Sequence, residues 1–324
     1  KTAQPWAPAG HELAWEQWKL PYSVPGARIE LSAPLEVSEA SDAVQIIGAD
    51  FSVTFDRTAT FHDYTYGGAK LIGHGPMPGF WRAPTDNDRG GGKALEGRAE
   101  LDVQVWRDAG WRVTKFDVQR PDQNTALIRY DGQLAAGGTY SMAYHVTGTG
   151  AITVEVSYTP GGKESGMMPR FGTDLVLAPG LENMRWYGRG PVETYCDRKF
   201  ERVGVYSSTV DAEWVEYSRP QENGNKTDVR WIEFTNGSGV GLRATGLTPL
   251  NAGASHYPVA AMEAADYSFK LERRPEVYLH LDLMQMGVGG IDSWSTNAFP
   301  MEPYRIPPDR PYKYGYRLEP VKGQ

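Results

Sequence analysis

The segment Gly287-Val288-Gly289-Gly290-Ile291-Asp292-Ser293-Trp294 follows the apolar run Val277 to Met284 and sets one large aromatic at the end of a glycine-rich loop. An indole presented in this way stacks on the C–H-rich face of a pyranose, while Asp292 and Ser293 beside it hydrogen-bond hydroxyls. The other reading is that Trp294 caps a hydrophobic core, and the pattern alone leaves both open. Two more segments pair aromatics with dense polar runs. In Phe80-Trp81-Arg82-Ala83-Pro84-Thr85-Asp86-Asn87-Asp88-Arg89-Gly90, Pro84 and the glycines after Arg89 enforce a loop. Its Arg82, Asp86, Asn87 and Asp88 either satisfy their own backbone or shape a nearby site. Asp86 and Asp88 offer carboxylates to a cation, but the spacing stops short of a calcium loop. In Trp186 to Arg198, the charged residues Arg189, Glu193, Asp197 and Arg198 fit either buried Arg–carboxylate pairing or polyol recognition.

Hydrolysis across a glycosidic bond needs two carboxyl groups, roughly 5–5.5 Å apart for retention or ~6.5–9.5 Å for inversion. None of the 40 Asp and Glu residues stands out in sequence as such a pair. His11, His62, His74, His145, His256 and His280 are scattered, and those in strand patterns, His145 and His280, are expected to be structural. No HExxH, GxSxG, P-loop or Gly-x-Gly-x-x-Gly before a helix occurs, so zincin, serine-hydrolase and nucleotide chemistry lose support. The polar run Arg219 to Trp231 contains the turn signal Asn223-Gly224 and reads equally as a contact with another domain or subunit.

The elements that must hold these residues are strands. Arg28-Ile29-Glu30-Leu31 and Asp50 to Asp56 alternate polar with apolar residues. Further strands are expected at 111–120, 126–133, 139–147, 151–158, 170–178, 202–208, 229–235, 239–245, 275–284 and 312–319. Gly, Pro, Asn and Asp between them point to antiparallel sheets packed face to face. One helix is expected over 94–109, where Leu95, Ala99, Val103 and Trp106 recur at helical spacing before Gly110. Residues 1–26 read as the tail of a preceding domain plus a linker broken by Pro21 and Pro25, and 27–324 as one large β domain.

Composition agrees: 37 glycines and 23 prolines in 324 residues exceed the usual ~7% and ~5%, as a turn-rich fold requires. A formal charge of −7 without a basic run argues against nucleic acid. A single cysteine excludes an internal disulfide and a thiolate zinc site. No apolar run reaches the ~18 residues of a membrane span, so a soluble chain without membrane contact is expected. It opens on Lys1-Thr2-Ala3-Gln4, so the natural N-terminus is expected upstream, leaving cytoplasm and periplasm both open.

Together these motifs resemble the C-terminal, small-chain region of the lactose-hydrolysing multidomain β-galactosidases. Phe80 to Gly90 resembles a Trp-Arg-Ala-Pro-x-Asp-Asn-Asp motif, Trp186 to Arg198 a Gly-x-Gly-Pro-x-Glu-x-Tyr-x-Asp-Arg motif, and Gly287 to Trp294 a Gly-Gly-x-Asp-Ser-Trp motif. Ala14-Trp15-Glu16-Gln17-Trp18 resembles the end of the immunoglobulin-like domain that precedes this region. The order matches too. Where the family often carries a second acid before Asp-Ser-Trp, this chain has Ile291.

The resemblance implies an all-β fold, a large antiparallel super-sandwich similar to galactose mutarotase with at most one or two short helices. It further implies a retaining parent enzyme that hydrolyses terminal non-reducing β-D-galactose and forms a homo-oligomer. There the catalytic glutamates and the Mg and Na sites belong to a (β/α)₈ barrel outside this region, so no catalytic residue and no cofactor are expected in this chain. The same resemblance carries the substrate-stacking role onto Trp294, with the barrel and a galactoside as its partners. Alternatives are a stand-alone mutarotase-like epimerase or a purely structural, oligomerising domain.

Overall fold

A computed structural model describes residues 2–22, 33–58, 60–92 and 98–323. The chain divides into two compact units, Lys1–Glu30 and Leu31–Gln324. Within the first, Gln4 and Ala7 form an isolated antiparallel bridge and the Trp6 ring meets His11 edge-on at 5.7 Å. Trp6, Leu13, Trp18, Leu20 and Tyr22 of that unit are exposed. The alternating stretch Arg28 to Leu31 and Pro25 of the expected linker lie outside the described residues.

The second unit is built of strands, in chain order β1 (Glu36–Glu39), β2 (Ala43–Ile47), β3 (Phe51–Asp56), β4 (Phe61–Tyr66), β5 (Ala69–Gly79), β6 (Trp111–Asp122), β7 (Thr125–Leu134), β8 (Thr139–Thr147), β9 (Ile152–Thr159), β10 (Arg170–Leu177), β11 (Asn183–Gly190), β12 (Arg202–Thr209), β13 (Lys226–Thr235), β14 (Gly241–Ser255), β15 (Val277–Gln285) and β16 (Tyr312–Val321). They hydrogen-bond in the order β1-β2-β3-β4-β5-β10-β15-β14-β16-β9-β8-β7-β6. At β14 the sheet branches through β13 to β11 and β12. Each of the expected strands from 111–120 onward is present, with ends shifted by a few residues or, in β14, extended to Ser255.

Period-two sequence explains why these segments pair. In β3, β8 and β9 every second residue is buried, so one face of each strand is core and the other meets water or a neighbour. The two ends of the sheet then close on each other. Phe55 of β3 and Phe61 of β4 meet Tyr144 of β8 with ring centroids 5.2 and 5.6 Å apart. The Tyr64 hydroxyl of β4 donates to the Gly150 carbonyl at 2.6 Å, satisfying a polar group that burial would otherwise strand. This face-to-face packing makes the sandwich that the sequence suggested.

Two short helices occur among the described residues, α1 (Asp86–Gly92) and α2 (Val259–Ala264). The helix expected over 94–109 is not formed in its described part, 98–109, and residues 94–97 lie outside the description. Two 3-10 turns, Ala99–Leu101 and Gln104–Trp106, stand there instead. The reason is competition for backbone partners. The Asp102 carbonyl, which an α-helix would pair with the amide of Trp106, accepts from Met167 N at 3.0 Å, and Trp106 N turns to the Val103 carbonyl. Val103 and Trp106 of that spacing are buried all the same, whereas Ala99 is exposed, so the apolar spacing reported burial only in part and not helix.

Register sets up the site. β10 lies between β5 and β15, with Gly172 opposite Gly79 and Arg170 opposite Gln285. The chain therefore leaves β5 and β15 side by side at one end of the sheet, and the 80s and 287–294 loops start as neighbours. Phe171, beside this exit, is fully buried and touches the rings of Phe80, Tyr140, Tyr158, Tyr312 and Tyr314. Phe171→Ala is expected to lower unfolding free energy by about 3–5 kcal/mol in a denaturant titration. A loss below ~1 kcal/mol would mean that this aromatic cluster does not close the sandwich.

Candidate functional site

Trp294 is 77% exposed, so it does not cap the core. The loop carrying it is nevertheless braced on three sides. Arg82, 1% exposed, lies beneath its start: Nε and Nη2 donate to the two carboxylate oxygens of Asp88 at 3.0 and 2.9 Å, and Nη1 and Nη2 donate to the carbonyls of Met286 and Gly287 at 2.8 and 2.9 Å. Burial opposes the Arg82 charge, yet the Asp88 carboxylate outweighs it and holds the guanidinium above its ordinary pKa.

Asp88 in turn belongs to α1. Its Oδ2 accepts from Thr85 N at 3.0 Å and its own N donates to Thr85 Oγ1 at 3.1 Å, a reciprocal cap that starts the helix where Pro84 ends the strand-like chain. From α1, Asn87 Nδ2 donates to the carbonyls of Asp292 and Ala298 at 3.1 and 3.0 Å. A Cβ on Gly90 would stand 1.8 Å from the Ser293 carbonyl oxygen, so only glycine lets α1 come this close to the loop.

The third brace is Asp197, whose Oδ2 accepts from Gly289 N at 2.9 Å. Inside the loop, Asp292 Oδ1 accepts from Trp294 N at 3.1 Å and Ser295 N at 2.9 Å, and Oδ2 accepts from Ser295 Oγ at 2.6 Å. The Ser295 hydroxyl, with the two amides, holds the Asp292 carboxyl below the usual carboxylate range. Asp292 thus spends its oxygens on shaping the turn. Ser293 is exposed beside Trp294, and Ile291 is 78% exposed.

Of the residues singled out from sequence, the structure gathers Arg82, Asn87, Asp88, Asp197, Asp292, Ser293 and Trp294 around one loop. The others lie apart from that loop's bonds. Asp86 is largely exposed and exchanges hydrogen bonds with Gln221, its N donating to Gln221 Oε1 at 3.1 Å and its Oδ2 accepting from Gln221 Nε2 at 3.2 Å. Asp86 and Asp88 therefore face different partners. Arg189 pairs with Asp228 and donates to the Glu201 carbonyl at 2.7 Å. Glu193 takes Arg198, the Tyr217 hydroxyl at 3.2 Å and Gly224 N at 2.8 Å, so these two charges hold the 193–224 loops together. Burial pushes the neighbouring Cys196 thiol up to about 11, and it stays protonated at neutral pH. Sequence reasoning missed Thr85, although its spacing to Asp88 ahead of a helix is a capping signal. It also missed the Met286 and Gly287 carbonyls, which no side-chain pattern betrays.

A family model described as beta galactosidase small chain matches residues 47–318. Among curated proteins, the chain is 34% identical over 325 residues to the beta-galactosidase of Priestia megaterium, covering 98% of this chain and 30% of that protein. It is 32% identical over 309 residues to the beta-galactosidase of Lactobacillus delbrueckii subsp. bulgaricus, covering 93% of this chain and 29% of that protein. The chain thus spans about 30% of the length of these relatives. The solved structure of galactose 1-epimerase from Lactobacillus acidophilus aligns with a TM-score of 0.48 at 8% identity, covering 91% of this chain and 100% of that one.

Arg82→Met leaves Asp88 buried without its partner and is expected to cost about 3–5 kcal/mol of stability, with faster amide exchange at Gly287 and Gly289. Unchanged exchange there would mean that Arg82 does not hold the loop. The depressed Asp292 carboxyl has a definite sign: its bonds persist above the ordinary carboxylate pKa and are lost as pH falls through its lower folded value. Amide signals of Trp294 and Ser295 are therefore expected to stay fixed through the usual carboxylate range and shift only below it.

Proposed function

The chain belongs to the beta galactosidase small chain family, and from that premise we propose that it is the part of a longer β-galactosidase that completes the sugar pocket with Trp294. The observation that carries this reading is an indole 77% exposed on a loop whose every turn is fixed by buried or charged partners. Ordering a loop costs conformational entropy, and here that cost is met before any ligand arrives. An exposed indole held in one place is suited to stack on the C–H face of a galactose ring. Ile291 beside it adds a second large apolar side chain that water covers in this chain, as a surface awaiting a neighbouring wall would have.

In this reading the carboxyl pair that cleaves the glycosidic bond, and the metal ions that serve it, lie in the remainder of the parent protein. Asp292, Asn87 and Arg82 act as positioning residues behind Trp294. Hydrolysis of terminal β-galactosides is then a property of the assembled protein, and this chain alone hydrolyses none.

The test is made in the assembled parent. Trp294→Ala removes a stacking contact of about 0.5–1.5 kcal/mol and is expected to weaken sugar affinity up to about tenfold, with Trp294→Phe retaining part of it. Sugar affinity and turnover unchanged in Trp294→Ala would sink the proposal, and so would nitrophenyl galactoside cleavage by the isolated chain.

A further inference from the structure

A cavity of about 230 Å³ opens beside β14 and β15, away from the Trp294 loop in its lining residues. Its walls include Trp214, Tyr257, Tyr278 and Met262, and Trp214 and Tyr257 meet with ring centroids 4.6 Å apart. Its lining residues Asp174, Arg170 and His280 are joined in a relay through Asp282, which is fully buried behind the lining. Asp174 Oδ1 accepts from Arg170 Nη2 at 2.7 Å, Arg170 Nη1 donates to Asp282 Oδ1 at 3.1 Å, and Asp282 Oδ2 bonds His280 Nδ1 at 2.8 Å. After His280 the relay is broken. Glu222 Oε1 lies 3.8 Å from His280 Nε2, and this buried oxygen has no hydrogen-bond partner although the Glu222 side chain is only 6% exposed.

An unpartnered carboxylate oxygen under an apolar rim is costly, and such groups ask for a ligand. The gap of 3.8 Å is too long for a direct bond. It suits one hydroxyl oxygen within reach of both, accepting from His280 Nε2 and donating to Glu222 Oε1. Burial works against a charge on His280, but Asp282 and, further off, Glu222 turn the net direction upward, which favours the protonated ring that such a bond uses. Around this point stand further acceptors and donors of both signs, with Asp174 half-exposed and Arg170 between two carboxylates. The lining is mostly apolar, with Arg170, Asp174, Glu222 and His280 as its charged members, and this suits a sugar ring with a C–H face and a few directed hydroxyls better than a lone cation. The cavity is smaller than the ~300–1,000 Å³ of drug-sized sites, which limits the ligand to about one sugar ring.

We propose that this cavity is a second, separate binding site for a neutral polyhydroxylated ligand of monosaccharide size, anchored by a hydroxyl between Glu222 and His280 and covered by Trp214 and Tyr257. The site stands on its own residues and goes beyond the role assigned to Trp294. It is tested by titrating the 324-residue chain with D-galactose and with D-glucose, following protein NMR shifts, alongside benzylammonium as a cationic probe. Saturable sugar binding that shifts Trp214 and Tyr278 is expected. Glu222→Gln and Val259→Trp, the second of which fills the cavity without removing a polar group, are each expected to weaken it at least tenfold. Thermal melts confirm that each variant is folded, and Val259→Trp decides alone if Glu222→Gln is not. The titration is repeated in Trp294→Ala, so that the exposed indole is excluded as the source. No saturation short of the solubility limit, sugar binding indifferent to the folded cavity variants, binding that vanishes in Trp294→Ala, or saturation by benzylammonium alone would overturn the proposal.

Discussion

A guanidinium at 1% exposure must be met by acceptors on every side, and the arrangement around Arg82 follows from that requirement. Asp88 supplies the opposite charge, and the Met286 and Gly287 carbonyls take remaining N–H groups. Because Asp88 also caps α1 through Thr85, the same ion pair fixes where the helix begins. The helix then fixes Asn87 and Gly90 against Asp292 and Ser293. A buried pair of this kind is poor evidence for extra stability, since hydrophobic replacements often do as well. Its effect is to permit one arrangement of two loops and few others.

The sheet makes that arrangement available. With β10 between β5 and β15, two segments more than two hundred residues apart in sequence leave the sheet as neighbours, and their polar ends pair at short range. Long loops are ordinarily the mobile part of a β protein. Here the loop at 287–294 combines glycines, which permit close backbone approach, with fixed hydrogen-bond partners from 82, 87 and 197. Glycine content therefore marks tight packing at Gly90 and Gly290, where a Cβ would collide with carbonyl oxygens.

Much of the sheet was legible because alternation reports burial on one face, as in Phe51 to Asp56 and Tyr140 to Val146. β5 escaped notice because Gly73, Gly75, Pro76, Pro78 and Gly79 interrupt its pattern, and Pro76 and Pro78 read as loop even though the strand pairs on both sides. β11 was legible only as a motif: Trp186, Gly188 and Gly190 alternate inward, but two of the three carry no side chain to show it. In the described part of the helix expected over 94–109 the cause is different, since the Asp102 carbonyl is taken by Met167, a residue that no local window contains, and the bonds around it close short 3-10 turns. In the candidate site, charge and aromatic content drew attention to segments that the fold brings together around one loop. They did not distinguish Asp88, buried under Arg82, from Asp86, largely exposed two residues earlier.

In the proposed function a pre-braced loop offers Trp294 to a sugar whose other contacts lie outside this chain. A structure of the complete parent protein with a galactoside bound measures this most directly. The Trp294 indole is expected to lie against the C–H face of the sugar at van der Waals distance, about 4 Å, with the Arg82, Asn87 and Asp197 bonds to the loop unchanged. An indole facing solvent or an unrelated domain surface, with the sugar bound elsewhere, would contradict it.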